Sequence, residues 1–149
     1  MKIAFDTNIL IYAESVNGEA RGRLARDLMA RIGQDVVVPI QVLAEFFNVM
    51  TIKARIPAAE AHHLVGQLAG FYDTVPTTDP LLALAAELAE RHRLRIFEAV
   101  ILSAAAEAGC GLLLSEDMQD GFVYRGVTVA NPFAAALHPL LASVLETRP

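Results

Sequence analysis

The stretch Met1-Lys2-Ile3-Ala4-Phe5-Asp6-Thr7-Asn8-Ile9-Leu10-Ile11-Tyr12 constrains the chain most, because an apolar run meets an acid and an amide and apolar residues then resume at once. The run reads as a buried strand that ends at Asp6. Thr7 and Asn8 suit a strand-to-helix corner, since their side chains can accept backbone N–H bonds at a helix start. A carboxylate at the carboxyl end of a central strand faces the crevice where open α/β sheets bind ligands. Asp is also a common helix cap. On this stretch alone Asp6 reads equally well as a cap or as part of a site.

Downstream, strand-like and helix-like patterns alternate. Ala20 to Ile32 has helical spacing, with Leu24, Leu28 and Ile32 along one face and Gly33 as its stop. Val36 to Val38 forms a short buried strand closed by Pro39, and Gln41 to Ala54 follows as a helix. Pro57 opens another helix through Gly70, and Asp73 to Val75 suits a short strand. Asp79 is an N-cap with Pro80 at the first position of a helix from Leu81 to Arg91. Ile96 to Ala108 is a further helix, Leu112 to Leu114 and Val127 to Val129 are strands, and Ala134 to Leu145 is a closing helix. This alternation predicts a single α/β domain over residues 1–149, a three-layer sandwich with a central, mostly parallel sheet and helices on both faces. Right-handed crossovers that reverse direction beside the first strand place the first and fourth strands side by side.

Composition limits what such a domain can do. With 54% hydrophobic residues in a chain of 149 it can bury a substantial core. No apolar run approaches a membrane span, and the N-terminus lacks a basic region followed by an apolar signal segment, so the expectation is a soluble, cytoplasmic protein. Cys110 is the only cysteine, which excludes an intrachain disulfide and a cysteine-based zinc site; it suits a small buried hydrophobe at a helix end. A formal charge of −5 argues against broad electrostatic binding of nucleic acid. A cluster of acids holding a divalent cation would invert that sign locally and let the metal bridge to phosphate.

Several acids stand where such a cluster could form. Glu45 sits in the apolar helix segment Val42-Leu43-Ala44-Glu45-Phe46-Phe47 and must reach solvent, a partner or a metal. Gln41, Glu45 and Asn48 share one side of that helix, which a solvated stripe would also explain. Glu98 and Glu107 lie about 180° apart around their helix axis, so if Glu107 faces solvent Glu98 faces inward, near a helix N-terminus that favours negative charge. Ser115-Glu116-Asp117 follows an apolar strand as Asp6 does, with Asp117 the better candidate and Asp120 in reserve. Asp6 and Asp117 then meet where the strand order reverses, joined by Glu45 and Glu98 from flanking helices. Oxygen-only ligation suits Mg²⁺ or Mn²⁺. His62 and His63, adjacent on a helix, point in different directions and do not converge on a ligand. The densest positive patch, Arg91-His92-Arg93-Leu94-Arg95, reads as a solvated connector more readily than as a phosphate contact.

Taken in order, Asp6-Thr7-Asn8, Ala44-Glu45-Phe46-Phe47-Asn48, Glu98-Ala99, Ser115-Glu116-Asp117 and Asn131-Pro132-Phe133 resemble the PIN domain ribonucleases, and within them the VapC-like toxins of type II toxin–antitoxin pairs. The resemblance runs nearly the whole length. It implies that Asp6, Glu45, Glu98 and Asp117 are catalytic metal ligands, with Thr7, Asn8, Ser115 and Asp120 in support. It further implies Mg²⁺- or Mn²⁺-dependent hydrolysis of RNA, with tRNA or rRNA as substrate, a cognate antitoxin and a homodimer. The chain departs from the family at Glu98, where Asp is usual, which sets the carboxylate about 1.5 Å further from its backbone. Two other readings compete. One is a receiver- or phosphatase-type domain, disfavoured because such designs use a lysine near the late strands and this chain has only Lys2 and Lys53. The other is a catalytically impaired PIN-like domain that binds RNA or protein.

Overall fold

The computed structural model describes residues 1–148. The chain runs β1 (Ile3–Phe5), α1 (Thr7–Ala13), α2 (Glu19–Ile32), β2 (Val36–Pro39), α3 (Ile40–Ile52), α4 (Ala58–Phe71) and β3 (Asp73–Val75). It continues through α5 (Asp79–His92), α6 (Ile96–Glu107), β4 (Leu112–Leu114), β5 (Val123–Tyr124), β6 (Val127–Ala130) and α7 (Pro139–Thr147). The strands form one sheet in the order β3-β2-β1-β4-β6-β5, parallel throughout except for the β5–β6 hairpin. Every residue of β1, β2, β4 and β6 is buried, so helices cover the sheet on both sides, as a parallel sheet requires.

The predicted neighbours, the first and fourth strands, are paired in register, with Phe5 opposite Leu114. From β1 the chain winds one way through β2 to β3 and then returns to β4 on the other side, so the strand order switches between β1 and β4. The backbone N–H of Asp6 donates to Leu114 O at 3.0 Å, extending the ladder one step past both strands. That last rung fixes Asp6 beside Ser115 at the mouth of the switch point.

The structure differs from the expectations in four places. The closing helix begins at Pro139, not Ala134, because a proline inside that span would remove an intrahelical bond and clash with the preceding turn. His138 caps it through Nδ1, which accepts from Leu140 N at 3.2 Å. Leu24 is 56% exposed while Leu28 and Ile32 are buried. Two steps of four residues carry a helix position about 80° around the axis, enough to rotate Leu24 out of the packed stripe. The two-residue strand β5 is an antiparallel addition, joined to β6 by a turn in which Arg125 and Gly126 both have positive φ. The cap before α5 is Thr78, whose hydroxyl accepts from Leu81 N, and Asp79 is the first helical residue. Cys110 is buried as expected, and burial pushes its thiol up to about 11. Among the described residues no helix is long and apolar enough to cross a membrane.

Because β4 lies between β1 and β6 with its side chains fully buried, the sheet has little room to relax around it. Leu113→Ala is expected to cost about 3 kcal/mol through lost burial and the cavity left behind, lowering the melting temperature by roughly 10 °C. Thermal unfolding followed by circular dichroism checks this, with Leu113→Met as a control expected to lose less than half as much.

Candidate active site

Asp6 is both a cap and the floor of a site. Its Oδ1 accepts from Thr7 N at 2.7 Å, which starts α1, and its Oδ2 accepts from Ser115 Oγ at 2.7 Å, which ties the end of β1 to the end of β4. Ser115 Oγ accepts in turn from Met118 N at 3.3 Å, so the loop after β4 is folded around the same hydroxyl. Thr7 and Asn8 are therefore not the cap; their side chains reach across to other acids. Thr7 Oγ1 donates to Glu45 Oε2 at 2.7 Å, and Gln41 Nε2 donates to Glu45 Oε1 at 3.3 Å. Asn8 Nδ2 donates to Asp117 Oδ2 at 3.1 Å.

The side of α3 that could have been a solvated stripe faces an open cavity of about 1000 Å³, which Glu45 and Asn48 line together with Thr7, Asn8 and Asp117. Two cations, Lys53 and Arg95, line the same cavity. Asp6 is 5% exposed beneath it. Burial raises its carboxyl from 3.8 to about 6, with Glu45 and Asp117 adding repulsion and the bonds from Ser115 and Thr7 opposing the rise.

Glu98 and Asp120 stand apart from this group. Glu107 is exposed and Glu98 half-buried, as the rotation argument requires, but Glu98 Oε2 turns back to accept from Arg95 N at 3.4 Å at the start of α6. Asp120 accepts from Asn131 N at 2.9 Å and so braces the Asn131-Pro132-Phe133 turn, in which Asn131 Oδ1 accepts from Phe133 N. Among the described residues, no three Asp, Glu, His or Cys side chains are gathered tightly enough to hold a metal as they stand. The donor chemistry nevertheless fits a hard cation. Asp6, Glu45 and Asp117 are held by neutral groups alone, and the two outer carboxylates raise the inner one.

Sequence reasoning missed a second cluster beside the site. Glu116 accepts from Arg21 Nη1 at 2.9 Å and from Tyr12 OH at 3.1 Å. The Arg21 guanidinium lies 4.7 Å from the Phe133 ring centroid and 5.4 Å from that of Tyr12, and the two rings meet edge-on at 5.1 Å. This cluster binds α1, α2, the loop after β4 and the Asn-Pro-Phe turn together, turning Glu116 outward from Asp117. No local pattern announces a contact between residues 95 positions apart in sequence.

In metal-free, chelator-treated protein, Asp6 is expected to lower stability as pH rises. Between its ordinary value near 3.8 and about 6 the folded chain binds a proton that the unfolded chain has lost, so stability falls across that window. The total is about 3 kcal/mol for a shift of this size. Asp6→Asn removes the effect, and its stability relative to wild type is expected to grow from pH 4 to pH 6. Urea unfolding at a series of pH values is the measurement; parallel profiles for the two proteins would contradict the electrostatic account.

The PIN domain family profile matches residues 3–120. Among solved structures, a toxin–antitoxin complex from Klebsiella pneumoniae is similar at 17% identity and a TM-score of 0.67, over 89% of this chain and 98% of that one. VapC20 of Mycobacterium tuberculosis, described as a toxin that cleaves the sarcin-ricin loop, is similar at 21% identity and a TM-score of 0.67, over 78% and 92% of the two chains. FitAcB from Neisseria gonorrhoeae aligns at 19% identity with a TM-score of 0.60, over 88% and 98%. No curated protein sequence matches the chain. A profile match over most of the length, on a sheet whose strand order switches at Asp6, places this chain in the PIN domain family.

Proposed function

We propose that this PIN domain is a divalent-metal-dependent endoribonuclease and the toxin of a toxin–antitoxin pair. The observation that carries the reading is Asp6, a carboxylate buried at the switch point, crowded by Glu45 and Asp117 and, among the described residues, hydrogen-bonded by neutral groups with no Lys or Arg paired to it. Like charges brought together in this way are hard to account for in a fold that does not use them to hold a metal. The similarity to a toxin–antitoxin complex and to a sarcin-ricin loop cleaving toxin supports the same reading.

Asp6, Glu45, Glu98 and Asp117 would hold Mg²⁺ or Mn²⁺. Bound there, the metal would supply a water of lowered pKa and charge stabilisation for the leaving oxygen. The chain's own residues prepare the site. Ser115 and the Thr7 amide fix both oxygens of Asp6, Thr7 Oγ1 orients Glu45, and Asn8 orients Asp117. The substrate is RNA, of which tRNA and rRNA are the candidates, the partner an antitoxin protein, and the working form a homodimer.

The impaired-domain reading has one observation in its favour, the turn of Glu98 back onto Arg95 N. The bond is long at 3.4 Å and the side chain half-exposed, so a cation could draw Glu98 away at small cost. Cleavage of mixed RNA by three proteins separates the readings: wild type active, Glu98→Gln inactive and Glu98→Asp retaining activity. An active Glu98→Gln would remove this residue from the ligand set, and an inactive wild type in millimolar Mn²⁺ would favour the impaired domain. Metal is also expected to raise the melting temperature of wild type and to leave that of Asp6→Asn unchanged.

A further inference from the structure

The basic connector between α5 and α6, residues 91–95, is more than a solvated link. Arg95 lines the acidic cavity. Arg91 and His92, at the other end of the same connector, line a second hollow of about 200 Å³ together with Arg125 from the β5–β6 turn. Arg91, His92, Arg93, Arg95 and Arg125 are all exposed. Five residues of chain thus carry a cationic path from the acids to a neighbouring surface, in a protein whose net charge is −5.

The ordinary explanation is that Arg91 and His92 complement the negative end of α5. It extends to Arg93, the C-cap of α5, but not to Arg95 or Arg125. Arg93 and Arg125 sit at φ 54° and 48°, left-handed positions where Gly or Asn is far easier to accommodate. Arg95 immediately precedes α6, at a helix N-terminus whose dipole disfavours a cation. Three arginines of this group therefore occupy backbone positions that select against arginine; Arg55, at φ 56°, is a further left-handed arginine outside it. Phe97, 57% exposed, follows Arg95 by two residues and offers an open aromatic face. Cations flanking an exposed aromatic ring suit a single-stranded nucleic acid, with phosphates on the arginines and a base on the ring.

Resting on the ribonuclease reading above, we infer that Arg91, Arg93, Arg95 and Arg125 form a phosphate-binding track along which single-stranded RNA leaves the acidic cavity, with Phe97 as a stacking platform. Arg91 pairs with Glu87 at 2.7 Å, an exposed contact that a phosphate can displace. Lys53, which lines the same cavity, would supply a further phosphate contact within it.

The test uses binding, so that it does not depend on catalysis. In an Asp6→Asn background that prevents cleavage, anisotropy of a labelled single-stranded RNA of about 12 nucleotides is measured against salt concentration. Arg91→Ala, Arg93→Gly and Arg125→Gly are combined; the two glycines relieve left-handed strain, so the variant keeps its fold. The combined variant is expected to bind more weakly and to lose about 2 from the slope of log affinity against log salt, near 0.7 per lost phosphate contact. Phe97→Ala is expected to weaken binding roughly tenfold without changing the slope. Arg23→Ala, on the exposed side of α2, is expected to leave both unchanged. Wild-type cleavage of RNA together with an unaltered slope in the combined variant would overturn the track and leave the ribonuclease reading standing. If wild type neither binds nor cleaves RNA, both fall. A slope unchanged for RNA but a lost affinity for an acidic protein partner would assign the arginines to that partner instead.

Discussion

The hydrogen bond from Ser115 Oγ to Asp6 Oδ2 at 2.7 Å joins the ends of β1 and β4, and the arrangement of the site depends on it. Parallel strands pair through long crossovers, so nothing local holds their carboxyl ends in register. Here the ladder runs one step beyond the strands through Asp6 N and Leu114 O, and the side-chain bond locks that step. Because Asp6 also caps α1, the same carboxylate sets where that helix begins and so where Thr7 and Asn8 point. Thr7 reaches Glu45 on α3, and Asn8 reaches Asp117 after β4. One buried acid therefore organises two others by geometry, before any cation is considered.

The arrangement is electrostatically uneven. The acids face inward onto a cavity whose lining also includes Lys53 and Arg95, while the Arg21–Glu116 pair is satisfied within itself and stacked between aromatic rings. A half-exposed ion pair of that kind contributes little to stability, but in this position it settles which of two adjacent acids turns to the site. Glu116 is occupied; Asp117 is left to Asn8. The chain thus separates structural from available carboxylates through hydrogen-bond partners and not through residue type.

Much of this was legible in the residues, because the signals were local. The apolar run before Asp6, the second one before Ser115 and the alternation of strand and helix patterns were sufficient for the sheet, the β1–β4 adjacency and the placing of Asp6 and Asp117 on either side of the switch point. Rotation around α6 correctly opposed Glu98 and Glu107, yet it said nothing of where a long, flexible carboxylate ends, and Glu98 folds back on its own helix. Glu45 stayed ambiguous because its decisive partner, Thr7, is 38 residues away. Arg21, Tyr12 and Glu116 were missed for the same reason. Pro139 is different: its ring is a sufficient local signal against a helix running through it from Ala134, and α7 starts at that proline.

The central claim is that the acids at this switch point hold a divalent cation, and paramagnetic broadening by Mn²⁺ in ¹H–¹⁵N spectra tests it most directly. Substoichiometric Mn²⁺ is expected to erase the amide signals of Thr7, Asn8, Ser115, Glu116 and Asp117 first, with Glu45 and Glu98 following as occupancy rises. Broadening that begins at exposed acids elsewhere, such as Glu87 and Glu90 on α5, or that spreads evenly over the spectrum, would contradict the account.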